Sequence, residues 1–165
     1  MNTLVLLASI AIVGYVLFAC VYCHGVPRSI SALVLKMPRW GQTLWTVCMA
    51  ATAFLLMPAI IDRTPDEWRF LAFLTCAGVI VLAVCPLIGR KETDTVHIFA
   101  AFATAAASQL LVMACNTWLL LLWLPWLAAY IWKTKDERPA NTAWPTTVFW
   151  AEISAIAITL IYPVV

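Results

Sequence analysis

Apolar residues fill the chain in long blocks, and the polar residues gather in short breaks between them. A bilayer core of about 30 Å takes roughly 20 apolar residues per helical crossing, and the blocks approach that length. They predict six helices, over 3–23, 41–61, 65–88, 95–115, 117–132 and 145–163. The breaks carry their own punctuation. Thr64-Pro65-Asp66-Glu67 reads as a helix start, with Thr as the cap, Pro in the first turn and Glu at N3. Apolar sequence then runs from Thr95 to Trp132, longer than one crossing needs, so the polar pair Asn116-Thr117 is expected to turn the chain between the fourth and fifth spans. Pro86 falls near the end of the third span, and Pro125 is expected to kink the fifth. Between the first two spans Ile30, Leu33, Val34 and Met37 recur at helical spacing, with Arg28, Lys36 and Arg39 around them. A short interfacial helix on the cytoplasmic leaflet fits this segment, and so does a plain basic loop. The fold expected is an all-α integral membrane bundle of six transmembrane helices, one domain over residues 1–165.

Composition sharpens that picture. Of 165 residues 64% are hydrophobic and 11% charged, too little polar surface to cover a soluble globule. The connecting segments are too short for a soluble domain, so any site must lie inside the bundle or at its faces. The net charge of +2 comes with no clustered field of Lys and Arg, which argues against nucleic acid as a partner. Membrane lipids are the expected partners, with other membrane subunits as a second class. The first span lacks the basic start of a cleavable signal peptide and is expected to be retained. Leu17-Phe18-Ala19-Cys20 faintly resembles a lipoprotein cleavage site and is set aside for the same reason.

Charge also assigns sides. One set of alternate loops carries Arg28, Lys36, Arg39, Arg90, Lys91, Lys133, Lys135 and Arg138, and the other only Arg63 and Arg69 beside Asp62, Asp66 and Glu67. Basic loops stay inside, so the expected location is the cell (inner) membrane, multi-pass, with both termini extracytoplasmic. Trp40, Trp68, Trp118, Trp132 and Trp144 sit near span ends, as an interfacial belt requires.

Six cysteines lie inside or at the ends of apolar blocks, where Cys behaves as a small hydrophobe and no disulfide framework is expected. Cys20-Val21-Tyr22-Cys23-His24 matches the attachment pattern of c-type haem. The charge distribution places it at the cytoplasmic end of the first span, where bacterial c-type haem is not attached, and no cofactor is expected. Glu152 is the single acidic residue within an apolar block, and a buried carboxyl group needs a proton or a partner. Its depth from the cytoplasmic end is roughly 7 to 15 Å at 1.5 Å per residue. His97 opens the fourth span on the same side, and His24 closes the first there. A ligand or proton site is expected from Glu152 and His97, joined by His24, Thr104 and Arg28. The alternative is a neutral Glu152 bonded to a neighbouring helix, with two ordinary interfacial histidines. Two histidines and one glutamate could in principle hold a catalytic zinc, yet no metal is expected. Small residues around Ala101 on the fourth span and Ala151 and Ala155 on the sixth predict that these two helices pack together, and Gln109 is expected to bond another helix.

Pro27-Arg28-Ser29-Ile30-Ser31 after the first span, Gly78 through Pro86 in the third, and Val96-His97 opening the fourth resemble landmarks of uncharacterised bacterial six-span membrane proteins related to the damage-regulated autophagy modulator and GPI-remodelling membrane families. The resemblance covers most of the chain and implies a six-helix fold with a lipid connection; it supplies no catalytic set. Three functions follow as expectations. The first is a membrane protein that binds or moves a small molecule, proton or lipid at a cytoplasm-facing polar site near Glu152. The second is a lipid-modifying enzyme using His97 and Glu152 in acid-base or metal-assisted roles. The third is a structural or accessory subunit without chemistry. No internal repeat suggests an inverted-repeat transporter.

Overall fold

A computed structural model describes residues 2–88, 90–135 and 146–165, apart from the side chains of 2, 90–94 and 133–135. Arg138, Trp144 and the expected opening of the last span at 145 lie outside the described residues, as do the side chains of Arg90, Lys91, Asp94, Lys133 and Lys135. The protein is all-α. Its helices are α1 (Asn2–Tyr22), α2 (Ile30–Lys36), α3 (Arg39–Arg63), α4 (Arg69–Ile88), α5 (Arg90–Cys115), α6 (Leu124–Lys135) and α7 (Thr147–Ile161), with 3-10 segments over Asp66–Trp68 and Thr117–Trp123.

Four stretches, Thr3–Tyr22, Arg39–Arg63, Asp66–Ile88 and Thr95–Cys115, are long and apolar enough to cross a membrane. Thr117–Trp132 and Thr147–Ile161 are shorter apolar helices. Each long helix divides its apolar residues between two faces. On α1 the stripe Val5, Ala8, Ile12, Tyr15 and Ala19 is buried, while Leu6, Ile10, Val13, Leu17 and Val21 face outward. Soluble proteins seldom leave so continuous an apolar surface bare; an outer solvent of hydrocarbon removes the penalty.

Neighbours in sequence pack as neighbours in space: α1 on α3, α3 on α4 and α4 on α5. Helix α7 then touches α5, the Thr117–Trp123 segment and α1, so the helices enclose a common centre. Helices α4 and α5 approach closely: a Cβ added at Gly78 would collide with Thr104 Oγ1. Glycine is what lets the two backbones come this close. Tyr15 ties α1 to α3 by donating its hydroxyl to the Gly41 carbonyl at 3.0 Å.

Several local expectations change. The segment Ile30–Lys36 is a helix capped by Ser29, whose Oγ accepts the Ala32 N–H at 3.1 Å. Its apolar residues Ile30, Leu33, Val34 and Met37 are buried against the protein, and Arg28, Lys36 and Arg39 remain exposed. Thr64 does not cap the next helix. Its hydroxyl donates back to the Ile60 carbonyl at 2.7 Å and meets Tyr162 Oη at 3.1 Å, while Asp66–Trp68 forms a 3-10 turn ahead of α4. Pro125 does not kink a continuous helix either: it occupies the first turn of α6, where the missing N–H is harmless, and Thr117–Trp123 ahead of it is 3-10. Gln109 on α5 holds that segment, accepting the Trp123 indole N–H at 2.9 Å. Trp40, Trp68, Trp118 and Trp132 are exposed.

Candidate functional site

Where α2 meets the longer helices, a cavity of about 160 Å³ lies between the helices of the bundle. Every helix except α6 contributes to it. Glu152 comes from α7, His97 and Thr104 from α5, Ser31 from α2 and Thr75 from α4, and most of the remaining wall is apolar.

The mouth is organised by the start of α2. Glu152 Oε2 accepts the backbone N–H of Ile30 at 2.6 Å, and Ser31 Oγ shares a hydrogen bond of 2.6 Å with His97 Nε2. Consecutive residues of one short helix thus bind two different helices, α7 and α5. The first N–H groups of any helix have no partner within it, and Glu152 satisfies one of them from a distant part of the chain. The turn before α2 is fixed to α7 as well, because Phe149 donates its backbone N–H to the Arg28 carbonyl at 3.0 Å.

Two further residues of the lining, Thr75 and Thr104, carry buried hydroxyls of a different kind. Thr75 is 2% exposed and Thr104 8%, and neither Oγ1 has a hydrogen-bond partner among the described residues. An unpaired buried hydroxyl costs about 1–3 kcal/mol, so two in one wall are a departure from ordinary packing. Thr52, beside them, is satisfied: its hydroxyl donates to the Cys48 carbonyl one turn back at 2.8 Å.

Of the five residues expected at a site, the fold brings Glu152, His97 and Thr104 together and leaves two outside. Arg28 is exposed and enters the arrangement only through its carbonyl. His24 is exposed and ends α1 with a left-handed φ of +56°. The Gly25 N–H reaches the Cys20 carbonyl at 3.0 Å and the His24 N–H the Val21 carbonyl at 3.2 Å, the bonding of a Schellman stop. The Cys-X-X-Cys-His run is therefore a helix terminus, in which Cys23 Sγ lies 3.8 Å from Met37 Sδ. With His24 outside the cavity, the zinc set of two histidines and Glu152 is not assembled, and no group of three His, Cys, Asp or Glu forms a metal-binding cluster among the described residues. The six cysteines are free.

Ser31 and Thr75 line the same cavity and are not among the five residues that the sequence leads one to expect there. Ser31 carried a signal, since it stands in the first turn of the amphipathic segment. Thr75 carried little, because a Thr within an apolar block normally returns its hydroxyl to its own helix. Ala101 of α5 and Ala155 of α7 both line the cavity, and the two helices are in contact.

No protein-family model, no curated protein and no solved structure matches the chain.

Proposed function

We propose that this is a six-span membrane protein that binds a small molecule, through a hydrogen-bonding group, in the central cavity on the cytoplasmic half of the bilayer. One observation carries the reading: Glu152 and His97 arrive from different helices at a cavity also lined by Thr75 and Thr104, whose buried hydroxyls have no hydrogen-bond partner among the described residues. A ligand that bonds those hydroxyls recovers interaction energy that the protein alone leaves unused.

Physical lengths support six crossings. A 3-10 helix rises about 2.0 Å per residue and an α-helix about 1.5 Å. The apolar stretch Thr117–Trp132 therefore extends about 28 Å, close to the bilayer core of about 30 Å, although its α-helical part alone is short. Helix α7 covers about 22 Å, a mismatch that local thinning of the bilayer can absorb. Sidedness rests on exposed Arg28, Lys36 and Arg39 at the α2 end, against Asp62, Arg63, Asp66 and Glu67 at the other. On this reading the cavity mouth faces the cytoplasm and both termini lie on the opposite side.

The test is thermal unfolding of the protein in nanodiscs with glycerol, ethanolamine and 1-butanol as probes. Ligand at about 100 times its Kd stabilises the folded state by about 2.7 kcal/mol. Saturable stabilisation by one of these probes, abolished by Thr75→Val and weakened by Glu152→Gln, supports the reading. If none of the three shifts the wild type, the reading fails.

The Ser31–His97 contact favours a second reading, a lipid-modifying enzyme with Ser31 as nucleophile and His97 as its base. A fluorophosphonate probe separates the two: covalent labelling at Ser31, lost in His97→Ala, points to the enzyme, and an unlabelled Ser31 points to binding alone.

A further inference from the structure

A second cavity, of about 340 Å³, lies between α1 and α7. It follows α7 from Phe149 to Leu160, about 16 Å at 1.5 Å per residue. Its walls are apolar throughout, and Val13, Leu17 and Trp150 in them are also exposed on the outside of the bundle. The crevice is therefore open to whatever surrounds the helices, which for these faces is hydrocarbon. Ile12 and Ile156 line both this crevice and the central cavity. Ile12 is buried, so these two isoleucine side chains form the wall between the polar site and the groove, and a ligand that spans both must displace them.

Size and chemistry decide what such a pair of spaces can hold. A cavity of about 150 Å³ accommodates benzene, so the central cavity takes one compact group and not a whole lipid. Pockets for small ligands run from about 300 to 1,000 Å³, which puts the crevice at the low end, with room for one hydrocarbon chain and not two. Among the described residues no Lys or Arg lines the central cavity to pair with a carboxylate or phosphate. The hydroxyls of Ser31, Thr75 and Thr104 both donate and accept hydrogen bonds, a match for another hydroxyl. Glycerol has as many non-hydrogen atoms as benzene.

We propose that the central cavity and the α1–α7 crevice together bind a single-chain lipid with an uncharged, hydroxyl-bearing head, which enters sideways from the bilayer between α1 and α7. The head occupies the cavity beside Thr75 and Thr104, and the chain lies along Leu17, Ile153 and Ala157. This deepens the small-molecule reading above and rests on it.

The experiment uses the full chain in phosphatidylcholine nanodiscs and a 1-O-alkylglycerol carrying a diazirine in mid-chain, with sites of photolabelling read by mass spectrometry. Labelling is expected at Leu17, Ile153 or Ala157, displaced by unlabelled 1-O-hexadecylglycerol and not by hexadecanoate. Ala157→Trp, which fills the crevice, is expected to abolish the displaceable labelling while stabilisation by glycerol persists. Val26→Trp, at an exposed position of the same crevice, provides the check should Ala157→Trp fail to fold. Labelling that is not displaced, or that is equally strong at outward-facing Phe54 and Phe102, reports bulk lipid contact and overturns the proposal. Displacement by hexadecanoate overturns the uncharged head. Stabilisation by glycerol without crevice labelling overturns this proposal and leaves the small-molecule reading standing; failure of both removes both.

Discussion

Ile30 and Glu152 are separated by 122 residues of sequence and joined across 2.6 Å, the backbone N–H of one held by the carboxyl oxygen of the other. The next residue, Ser31, is bonded to His97 through its side chain, Oγ to Nε2 at 2.6 Å. Helix α2 has only seven residues, too few to be stable alone in water, where isolated helices shorter than about 12 residues are marginal. Its place over the cavity is set by these two bonds and by the burial of Ile30, Leu33, Val34 and Met37.

The first prediction concerns Glu152. Gln at this position keeps an oxygen for the Ile30 N–H, whereas Ala leaves that group without an acceptor, at a cost of about 1–3 kcal/mol. Glu152→Ala is expected to be less stable than Glu152→Gln and to speed amide exchange at Ile30 and Ser31. Equal exchange in the two variants would show that the carboxyl group does not hold α2.

Ser31 and His97 make a pair suited to a double-mutant cycle. Loss of their hydrogen bond in either Ser31→Ala or His97→Ala is expected to cost about 0.5–1.5 kcal/mol, and the double variant to cost less than the two together. Strict additivity, to within about 0.3–0.5 kcal/mol, would mean that the two side chains do not interact.

How far the sequence reveals this arrangement depends on whether a residue's role is set locally. The long apolar blocks and the amphipathic spacing of Ile30, Leu33, Val34 and Met37 mark helices directly, because burial on one face imposes a period. Glu152 stands out because a carboxyl group in an apolar block demands compensation. What compensates it is not legible: a backbone N–H carries no sequence identity, so nothing in Ile30 announces the bond. His24 misleads for the opposite reason. A histidine beside two cysteines suggests a ligand, and only the left-handed backbone shows it to be a helix stop. Thr75 and Thr104 look alike in sequence to Thr52, which bonds its own helix; the difference lies in three-dimensional packing.

Gly78 and Thr104 supply the third prediction. A methyl group at Gly78 meets the Thr104 hydroxyl and must push α4 from α5. Overpacking of this kind costs about 1–3 kcal/mol, so Gly78→Ala is expected to lower stability by that amount. Combining it with Thr104→Ala, which removes the obstructing hydroxyl and leaves Cβ 2.9 Å from the new methyl group, is expected to restore part of the loss. A double variant as unstable as the sum of its parts would mean that the helices do not approach each other here.

The last prediction addresses orientation, on which the reading of a cytoplasm-facing mouth depends. Leu35 lies on α2 among Arg28, Lys36 and Arg39, and Glu67 lies at the far end of α3, beyond Asp62, Arg63 and Asp66. Both are exposed, and α3, with 25 residues, is long enough to put a full bilayer between them. Positive charge holds loops on the cytoplasmic side, so the two positions should differ in access from outside. In a chain whose own six cysteines have been replaced, Glu67→Cys is expected to react with a membrane-impermeant maleimide on intact cells, and Leu35→Cys only after the membrane is opened. The reverse pattern would turn the bundle over and carry the Glu152 cavity to the outer half of the bilayer. Equal reaction of both positions on intact cells would show that α3 does not cross at all.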